Sequence, residues 1–165
     1  MKPHKTNAAR ALDRAKIAYD LVPYEVDEND LSAVHLAEQL GEDIARVFKT
    51  LVLRGDKTGY FVCLVPGGDE ADLKKAARLS GNKSCALIPL KDLFALTGYI
   101  RGGCSPFAMK KPFATYIHSS VSEGPFVYVS AGQRGLQLKM APDDLVRETR
   151  ALVGDITSGI KEESL

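Results

Sequence analysis

The sequence predicts an α+β fold, α/β in the broad sense, with a mixed, largely antiparallel sheet and helices on its outside. Predicted strands and helices interleave along the chain, but several strand pairs are joined too tightly for the crossovers that parallel neighbours need. Segment 47–54 is apolar on both faces, which is typical of a strand covered on both sides. A length of 165 residues and a hydrophobic content of 45% fit one domain with a full core.

The first half of the chain is predicted to form two helices, an edge strand and a hairpin. Pro23 interrupts the predicted strand and indicates an edge or a bulge. Ser32 is a suitable N-cap for the second helix, and Gly41 is suited to end it. In order, the elements are a helix capped by Thr6 or Asn7, a strand over 17–26, a helix over 33–40, and strands 47–54 and 60–66 joined by the polar turn 55–59.

The second half of the chain is predicted to continue the alternation of helices and strands. Asp69 or Asp72 begins a basic helix, and Pro89 opens a further helix that Gly98 ends. The elements are helices over 73–79 and 90–97, strands over 114–118, 125–130 and 136–140, and a helix from Pro142 through Leu152. We expect one domain over residues 1–153 and a C-terminal tail over 154–165, which frays from Ser158 onward.

Lys49 is the unusual residue of the predicted strand 47–54. Side chains alternate between the two faces of a strand, so Lys49 shares its face with Leu51 and Leu53. A lysine is rarely buried unless it is paired. Two interpretations stay open: the amine reaches an edge of the sheet, or it faces a cavity that needs a cation.

Composition and charge argue against several classes of protein. The net charge of +1 gives no overall field that would select nucleic acid, so any contact with RNA has to come from a local patch. The three cysteines form no C-x-x-C pair, which argues against a zinc site or a disulfide framework and favours a reducing compartment. The N-terminus lacks the apolar core of a signal peptide, and no run reaches the length of a membrane span. We expect a cytoplasmic protein with no metal, no cofactor and no membrane partner.

Few other residues suggest chemistry. His35 and His118 are single histidines, for which structural roles are commoner than catalytic ones. Cys104 has no histidine near it in the sequence to activate its thiol, so a role as nucleophile is disfavoured. The glycine-rich segment 102–106 could direct backbone N–H groups at an oxyanion, although a plain tight turn has the same composition.

Three separate motifs, in a fixed order, carry a resemblance to a known family. They are Phe48-Lys49-Thr50-Leu51-Val52, then Gly102-Gly103-Cys104-Ser105-Pro106-Phe107 with Met109-Lys110-Lys111, then Val129-Ser130-Ala131-Gly132-Gln133-Arg134-Gly135-Leu136. Together they resemble the YbaK/EbsC family of free-standing aminoacyl-tRNA deacylases, which is similar to the editing domain inserted in bacterial prolyl-tRNA synthetases. The resemblance extends from about Thr6 to Leu152.

The resemblance implies a sheet that curls into a barrel-like body and an enzyme that clears mischarged tRNA. The expected substrate is Cys-tRNA(Pro), with Cys-tRNA(Cys) as a further one, and a prolyl-tRNA synthetase is left open as a partner. Lys49, Gly102 and Ser130 match the catalytic positions. The expected substrate-binding residues are Tyr24, Thr50, Tyr99, Gly103, Cys104, Ser105, Pro106, Gly132 and Arg134. A basic set of Arg101, Lys110 and Lys111 is expected to bind the acceptor end of the tRNA.

The resemblance also leaves the reaction route and some alternatives open. The thiol of the substrate cysteine can attack its own ester, whereas another amino acid would need water, so the enzyme would be a lyase or a hydrolase accordingly. The alternatives are a deacylase for another small amino acid such as alanine, and a non-catalytic module that binds a tRNA end or a synthetase. Four positions depart from the family pattern: Ser32, Ala33, Ala108 and Gln137, the last of which replaces an aspartate found in some members.

Overall fold

Helices and strands alternate over residues 4–160, the part of the chain that the computed structural model describes. The helices are α1 (Asn7–Arg14), α2 (Ala33–Leu40), α3 (Leu73–Ser80), α4 (Leu93–Thr97) and α5 (Pro142–Thr149). The strands are β1 (Tyr19–Pro23), β2 (Phe48–Gly55), β3 (Gly59–Pro66), β4 (Asp69–Ala71), β5 (Cys85–Leu87), β6 (Thr115–His118), β7 (Val127–Gln133), β8 (Leu136–Met140), β9 (Leu152–Gly154) and β10 (Thr157–Ile160).

The predicted helix caps are confirmed. The Thr6, Ser32 and Asp72 side chains accept hydrogen bonds from the first turns of α1, α2 and α3. A side-chain oxygen at this position satisfies a backbone N–H that has no partner within the helix. Gly41 and Gly98 end α2 and α4 in the left-handed conformation, which a glycine adopts at low cost.

The strands form a mixed arrangement, as predicted. A five-stranded sheet has the order β5-β2-β3-β6-β9, in which β2 is antiparallel to β3 and β5, while β6 is parallel to β3 and β9. A second, antiparallel sheet has the order β1-β8-β7, and β10 pairs with β4. A single parallel bridge between Val47 and Tyr128 brings the start of β2 next to β7. Closure into a barrel-like body stays a prediction.

Strand β2 is covered on both of its faces. Phe48 packs into a core cluster with α1, α5 and the second sheet, to which Leu12, Leu64 and Leu145 contribute. Leu53 packs on the other face into a cluster beneath α3. Double coverage explains the continuous apolar sequence of this strand, and it fixes the β2–β3 hairpin at the centre of the molecule.

Several boundaries differ from the prediction. Strand β1 is shorter than 17–26 and has Pro23 at its end, on the edge of its sheet, where a missing N–H costs no ladder bond. Helix α5 ends at Thr149 rather than Leu152, and Arg150 follows in the left-handed conformation. Strand β7 reaches Gln133 and so includes residues predicted as a loop. Strands β4, β5, β9 and β10 are too short to give a periodic signal in the sequence.

The end of the described chain packs on the domain. Strand β9 adds to the edge of the five-stranded sheet, and β10 pairs with β4. Ile156, which lies between the two strands, and Thr157, the first residue of β10, are buried. Residues 154–160, which were predicted to belong to the tail, include strand β10, and residues 161–165 of the predicted tail lie outside the described residues. The division of the chain after residue 153 stays a prediction.

None of the helices within residues 4–160 is both long and apolar enough to cross a membrane.

Candidate active site

A cavity of about 490 Å³ opens where β2 and β7 separate. The two strands are bridged at Val47 and Tyr128, and the residues that follow, 49–52 on β2 and Ser130 on β7, line the cavity. Apolar side chains of its wall come from α2, from the residue before its N-cap and from segment 87–93: Leu31, Leu36, Leu87, Ile88, Leu90 and Leu93. Its polar lining consists of Ser32, Lys49, Thr50, Arg101, Cys104, Ser130 and Gln137.

Lys49 lines this cavity, and backbone oxygens hold its amine. Nζ donates hydrogen bonds to the Asp69 carbonyl at 2.7 Å and to the Gly67 carbonyl at 3.3 Å. Gly67 lies in the turn between β3 and β4, and Asp69 is the first residue of β4. These two hydrogen bonds to neutral carbonyl groups fix the position of the ammonium beside the cavity.

Gly67 joins that turn to β2 and to α2. Its N–H donates to the Val47 carbonyl at 2.7 Å. A Cβ at this position would lie 2.1 Å from the Cβ of Ala33, so only glycine lets the start of α2 approach the turn. Because α2 also supplies part of the cavity wall, this contact sets the distance between the wall and the Lys49 amine.

The predicted turn over 102–106 forms the opposite side of the cavity. Gly102 has a φ of +82° and lines the cavity together with Cys104. The Gly103 N–H donates to the Ile100 carbonyl at 3.0 Å, so it closes the turn and does not point at a ligand. The N–H groups of Gly102 and Cys104 are the remaining candidates for the oxyanion donors expected here.

Arg134 holds the glycine turn in place. Its Nε donates to the Arg101 carbonyl at 2.8 Å, and a Cβ at Gly103 would lie 3.0 Å from backbone atoms of Gln133 and Arg134. The turn between β7 and β8 thus packs directly on the glycine turn. A Glu28 carboxylate oxygen lies 4.0 Å from another nitrogen of the Arg134 guanidinium, and substrate binding by Arg134 stays a prediction.

Ser130 and Tyr99 support the same wall. Ser130 Oγ accepts a hydrogen bond from the Gly132 N–H at 3.1 Å. A Cβ at Gly132 would lie 2.9 Å from the Tyr99 ring, and Gly132 has a φ of +104°. The Tyr99 hydroxyl donates to the Phe107 carbonyl. Burial raises the pKa of Tyr99 to about 12, so its phenol stays protonated and acts as a donor.

Cys104 is buried in the cavity wall as a neutral thiol. Burial raises the pKa of Cys104 to about 11. At neutral pH only about one thiol in ten thousand would then be ionised, and the thiolate is the nucleophilic form. Cys63, Cys85 and Cys104 are all free thiols.

The structure brings six of the fifteen predicted site residues to one cavity. Six of them line it: Lys49, Thr50, Arg101, Gly102, Cys104 and Ser130. The remaining nine do not line it: Tyr24, Tyr99, Gly103, Ser105, Pro106, Lys110, Lys111, Gly132 and Arg134. Tyr24 follows β1, and its N–H donates to the Gly135 carbonyl at 2.9 Å, which ties it to the β7–β8 turn. Gln137, considered only as a departure from the family pattern, lines the cavity.

The predicted basic set lies outside the cavity or at its edge. Arg101 lines the cavity and is exposed, and Lys110 and Lys111 are exposed as well. Lys110 Nζ lies 5.4 Å from the centre of the Phe94 ring, an arrangement typical of a cation–π contact. Phe94 is 59% exposed, so an aromatic face and a cation are presented together beside the cavity-lining Leu93.

His118 has the structural role that a single histidine suggested. Its Nδ1 accepts a hydrogen bond from the Ile156 N–H at 3.2 Å, which holds the start of β10 against β6. Within residues 4–160, no group of three or more His, Cys, Asp or Glu side chains is placed to hold a metal ion.

Comparisons with known proteins agree with this architecture. A model of the aminoacyl-tRNA editing domain matches residues 27–148. The chain is 46% identical over 154 residues to the candidate Cys-tRNA(Pro)/Cys-tRNA(Cys) deacylase EbsC of Enterococcus faecalis, a match that covers 93% of this chain and 94% of that protein.

Two solved structures have the same fold. One is a candidate trans-editing enzyme for prolyl-tRNA synthetase, with a TM-score of 0.79, 26% identity, and coverage of 92% of this chain and 93% of that one. The other comes from work on scaffold proteins for grafted epitopes, with a TM-score of 0.84, 25% identity, and coverage of 97% and 100%. The similarity therefore extends over nearly the whole chain.

Ala108, where the family commonly has glycine, carries a backbone conformation that favours glycine. Its φ is +57°, and for a residue with a Cβ the left-handed region costs roughly 1–2 kcal/mol. We expect Ala108→Gly to raise the free energy of unfolding by about 0.5–1 kcal/mol, since the gain in entropy of the unfolded chain offsets part of the relief. Chemical denaturation of the wild type and of the variant measures this difference in the free energy of unfolding. Ala95→Gly, at an exposed position inside α4, is the control and should lower the free energy of unfolding by about 1 kcal/mol. An equal loss of stability in both variants would contradict the interpretation that Ala108 is strained.

Proposed function

The chain belongs to the aminoacyl-tRNA editing domain family, and we propose that it is a trans-editing deacylase that clears Cys-tRNA(Pro), and also Cys-tRNA(Cys). One observation carries the proposal: Lys49 and Gly102 line a single cavity, and no Asp, Glu or His is among its lining residues in the described chain. An aminoacyl ester of a ribose hydroxyl is already activated. Its cleavage needs positioning and charge stabilisation more than a protein nucleophile.

Lys49 supplies the positive charge of this site. Its ammonium is held by the Gly67 and Asp69 carbonyls and faces the cavity, where it can orient the phosphate or ribose of the terminal adenosine. On the other side of the cavity, the N–H groups of Gly102 and Cys104 can donate to the ester carbonyl as it becomes anionic. A rigid cation and a rigid turn lower the barrier because neither reorganises during the reaction.

Cysteine as the amino acid provides its own nucleophile. Its thiol adds to the ester carbonyl carbon, a C–S bond forms as the C–O bond to the ribose breaks, and the thiol proton passes to the ribose oxygen. The products are a cyclic thioester of cysteine and free tRNA. For alanine, water takes the place of the thiol and the product is the free amino acid.

The size of the cavity sets a modest selectivity for the amino acid. Its apolar wall of Leu31, Leu36 and Leu93 limits the space beside the reacting carbonyl. Size alone discriminates by about 1–3 kcal/mol per methylene, so cysteine and alanine are accepted and the larger proline is disfavoured. A prolyl-tRNA synthetase that presents the tRNA is a separate proposal. The exposed Phe94 and Lys110 beside the cavity offer a surface for such a partner.

Multiple-turnover release of amino acid from mischarged tRNA tests the proposal. The substrates are Cys-tRNA(Pro), Cys-tRNA(Cys), Ala-tRNA(Pro) and Pro-tRNA(Pro), each labelled in the amino acid. We expect many turnovers per enzyme on the cysteine substrates, slower release of alanine and the slowest release of proline. Tight binding without turnover would favour a non-catalytic module that holds the tRNA end.

Lys49→Ala should stay folded and lose most of its deacylation. Removing a fixed electrostatic group costs about 100-fold or more in the chemical step. Lys49→Arg should also fail, because a planar, longer guanidinium does not reproduce the two bonds to the turn. Single-turnover release of labelled cysteine measures both variants, and Lys57→Ala in the exposed β2–β3 turn is the matched control.

Melting of the Lys49 variants separates a lost function from a lost fold. Two hydrogen bonds to backbone carbonyls disappear, each with a net contribution of about 0.5–1.5 kcal/mol, so the melting temperature should fall by several degrees. A folded Lys49→Ala protein with rates near wild type would remove the lysine from the mechanism.

Cys104→Ala should keep most of its deacylation. Burial raises the pKa of the Cys104 thiol, and no His, Asp or Glu of the described chain lines the cavity beside it, so Cys104 serves as part of the wall. We expect rates within about tenfold of wild type, whereas loss of a covalent nucleophile costs far more. Loss of activity together with a cysteinyl thioester trapped on the wild-type enzyme would show that covalent catalysis occurs.

Replacing Lys110 and Lys111 by alanine should weaken tRNA binding and flatten its salt dependence. Each phosphate contact contributes about 0.7–0.9 to the slope of log affinity against log salt concentration. Binding of uncharged tRNA at several salt concentrations measures the slope. Lys57→Ala with Lys83→Ala, both exposed away from the cavity lining, is the control; equal slopes for the two double variants would assign Lys110 and Lys111 to solvent.

A further inference from the structure

Exposed apolar side chains are concentrated in one segment beside the cavity. Of the nine large apolar side chains that are exposed in the described chain, four lie in segment 87–100: Leu87, Leu90, Phe94 and Ile100. Leu87 and Leu90 also line the cavity, so they form part of its mouth. A group of exposed apolar side chains at the mouth of a cavity points to a surface that binds another molecule.

Phe94 continues this surface outward from the mouth. It directly follows the cavity-lining Leu93, so the Cα atoms of the two residues are about 3.8 Å apart. It is also the one phenylalanine among the nine exposed apolar side chains, and 59% of it is accessible. Its ring is therefore available to stack on a planar group that lies just outside the cavity.

Lys110 is positioned next to this ring by its own backbone. The Lys110 N–H donates to the carbonyl of Thr97, the last residue of α4, at 3.0 Å. A Cβ at Gly98 would lie 3.6 Å from Lys110 Cγ, so the stem of the lysine side chain lies along the end of the helix. Its Nζ is 5.4 Å from the centre of the Phe94 ring. The fold thus presents an aromatic ring and an ammonium as a pair.

The charge around this pair favours nucleic acid over a protein partner. Segment 87–111 contains a single acidic residue, Asp92, although the net charge of the whole chain is only +1. Its four basic residues are all exposed: Lys91, Arg101, Lys110 and Lys111. Lysine is depleted in interfaces between proteins. An aromatic ring set among cations is typical of surfaces that bind single-stranded nucleic acid, because bases stack on the ring and phosphates bind the cations.

The 3′ end of a tRNA is such a single strand. When the terminal adenosine and its amino acid occupy the cavity, the preceding nucleotide has to lie outside the mouth. Arg101 lines the cavity and is exposed, and Leu90 lines it and is 57% exposed. Phe94 and Lys110 lie beside this part of the mouth, where they meet the strand as it leaves.

We propose that Phe94 and Lys110 form a subsite for the nucleotide that precedes the terminal adenosine of the tRNA. Its base stacks on the Phe94 ring, and its phosphate binds the Lys110 ammonium. The inference rests on the proposed function, since it extends the same substrate from the cavity onto the surface. Stacking on an aromatic ring tolerates any base. The subsite therefore adds affinity for the 3′ end and makes no choice among tRNAs.

Three non-cleavable analogues test the subsite by calorimetry. The first is adenosine 3′-cysteinylamide, and the second carries the same group at the 3′ end of CpCpA. The third replaces the cytidine next to the adenosine by an abasic nucleotide, which keeps the phosphate and lacks the base. We expect the wild-type protein to bind the CpCpA analogue at least about fivefold more tightly than the abasic one, because one base is lost from the stack. The abasic analogue should in turn bind more tightly than the adenosine analogue, because it keeps the phosphates.

Variants locate the two contacts. Phe94→Ala should bind the CpCpA and abasic analogues within about twofold of each other and should bind the adenosine analogue like the wild type. Phe94→Tyr keeps the ring and should keep the preference for the base. Lys110→Ala should weaken binding of the CpCpA and abasic analogues alike, and should lower the salt slope of each by about 0.7.

Tyr60→Ala is the matched control. Tyr60 is an exposed aromatic residue with Arg54 Cζ 5.6 Å from the centre of its ring, and it does not line the cavity. It reproduces the pairing of ring and cation at a place where the tRNA end is not expected. Tyr60→Ala should therefore bind all three analogues with wild-type affinity.

The outcomes separate this inference from the proposed function. An undiminished preference for the base in folded Phe94→Ala, or equal binding of all three analogues by the wild type, would overturn the subsite while turnover on Cys-tRNA(Pro) still stands. If Phe94→Ala binds the analogues like the wild type but binds a prolyl-tRNA synthetase more weakly, the surface belongs to a protein partner and the subsite is overturned. If the wild type binds none of the analogues, both proposals fail. Melting curves establish that each variant is folded before its binding is compared.

Discussion

The hydrogen bonds from the Lys49 ammonium to the Gly67 and Asp69 carbonyls are the interaction on which the site depends. They fix the position of a cation beside the cavity. The Gly67 N–H also donates a hydrogen bond to the Val47 carbonyl. Gly67 packs so closely on Ala33 that a Cβ at residue 67 would lie 2.1 Å from the Ala33 Cβ. Strand β2, the turn and helix α2 therefore form one rigid unit around the amine. The position of the charge follows from the fold and not from a flexible side chain alone.

The opposite wall depends on close backbone contacts in the same way. Gly103 and Gly132 lie where a Cβ would meet the β7–β8 turn or the Tyr99 ring, and Arg134 binds the carbonyl of Arg101. These contacts hold the glycine turn still, so its N–H groups need not reorganise when negative charge develops. A site built from a fixed cation and fixed dipoles suits a substrate that brings an activated ester and, in cysteine, its own nucleophile. Cys104 stays protonated because burial raises its pKa, which agrees with a reaction in which the substrate and not the protein supplies the nucleophile.

Local signals predicted much of the fold because they act over a few residues. Thr6, Ser32 and Asp72 act as caps, and the alternation along 47–54 and 60–66 defines the central hairpin. The short strands β9 and β10 were missed because their pairing partners are far away in the sequence. At the site, Lys49 was conspicuous as a cation on an apolar strand. The sequence could not predict the supporting contacts of Arg134 and Tyr99 or the place of Gln137 in the cavity lining. Those contacts depend on how β7, β8 and the glycine turn meet.

A crystal structure of the protein with adenosine 3′-cysteinylamide tests the central claim most directly. The account predicts that the adenosine end lies at the mouth near Arg101, that the Lys49 ammonium contacts the ribose or its phosphate position, and that the amide carbonyl lies within hydrogen-bond distance of the N–H groups of the turn over 102–106. An analogue bound outside the cavity, with no contact to the Lys49 ammonium, would contradict the account.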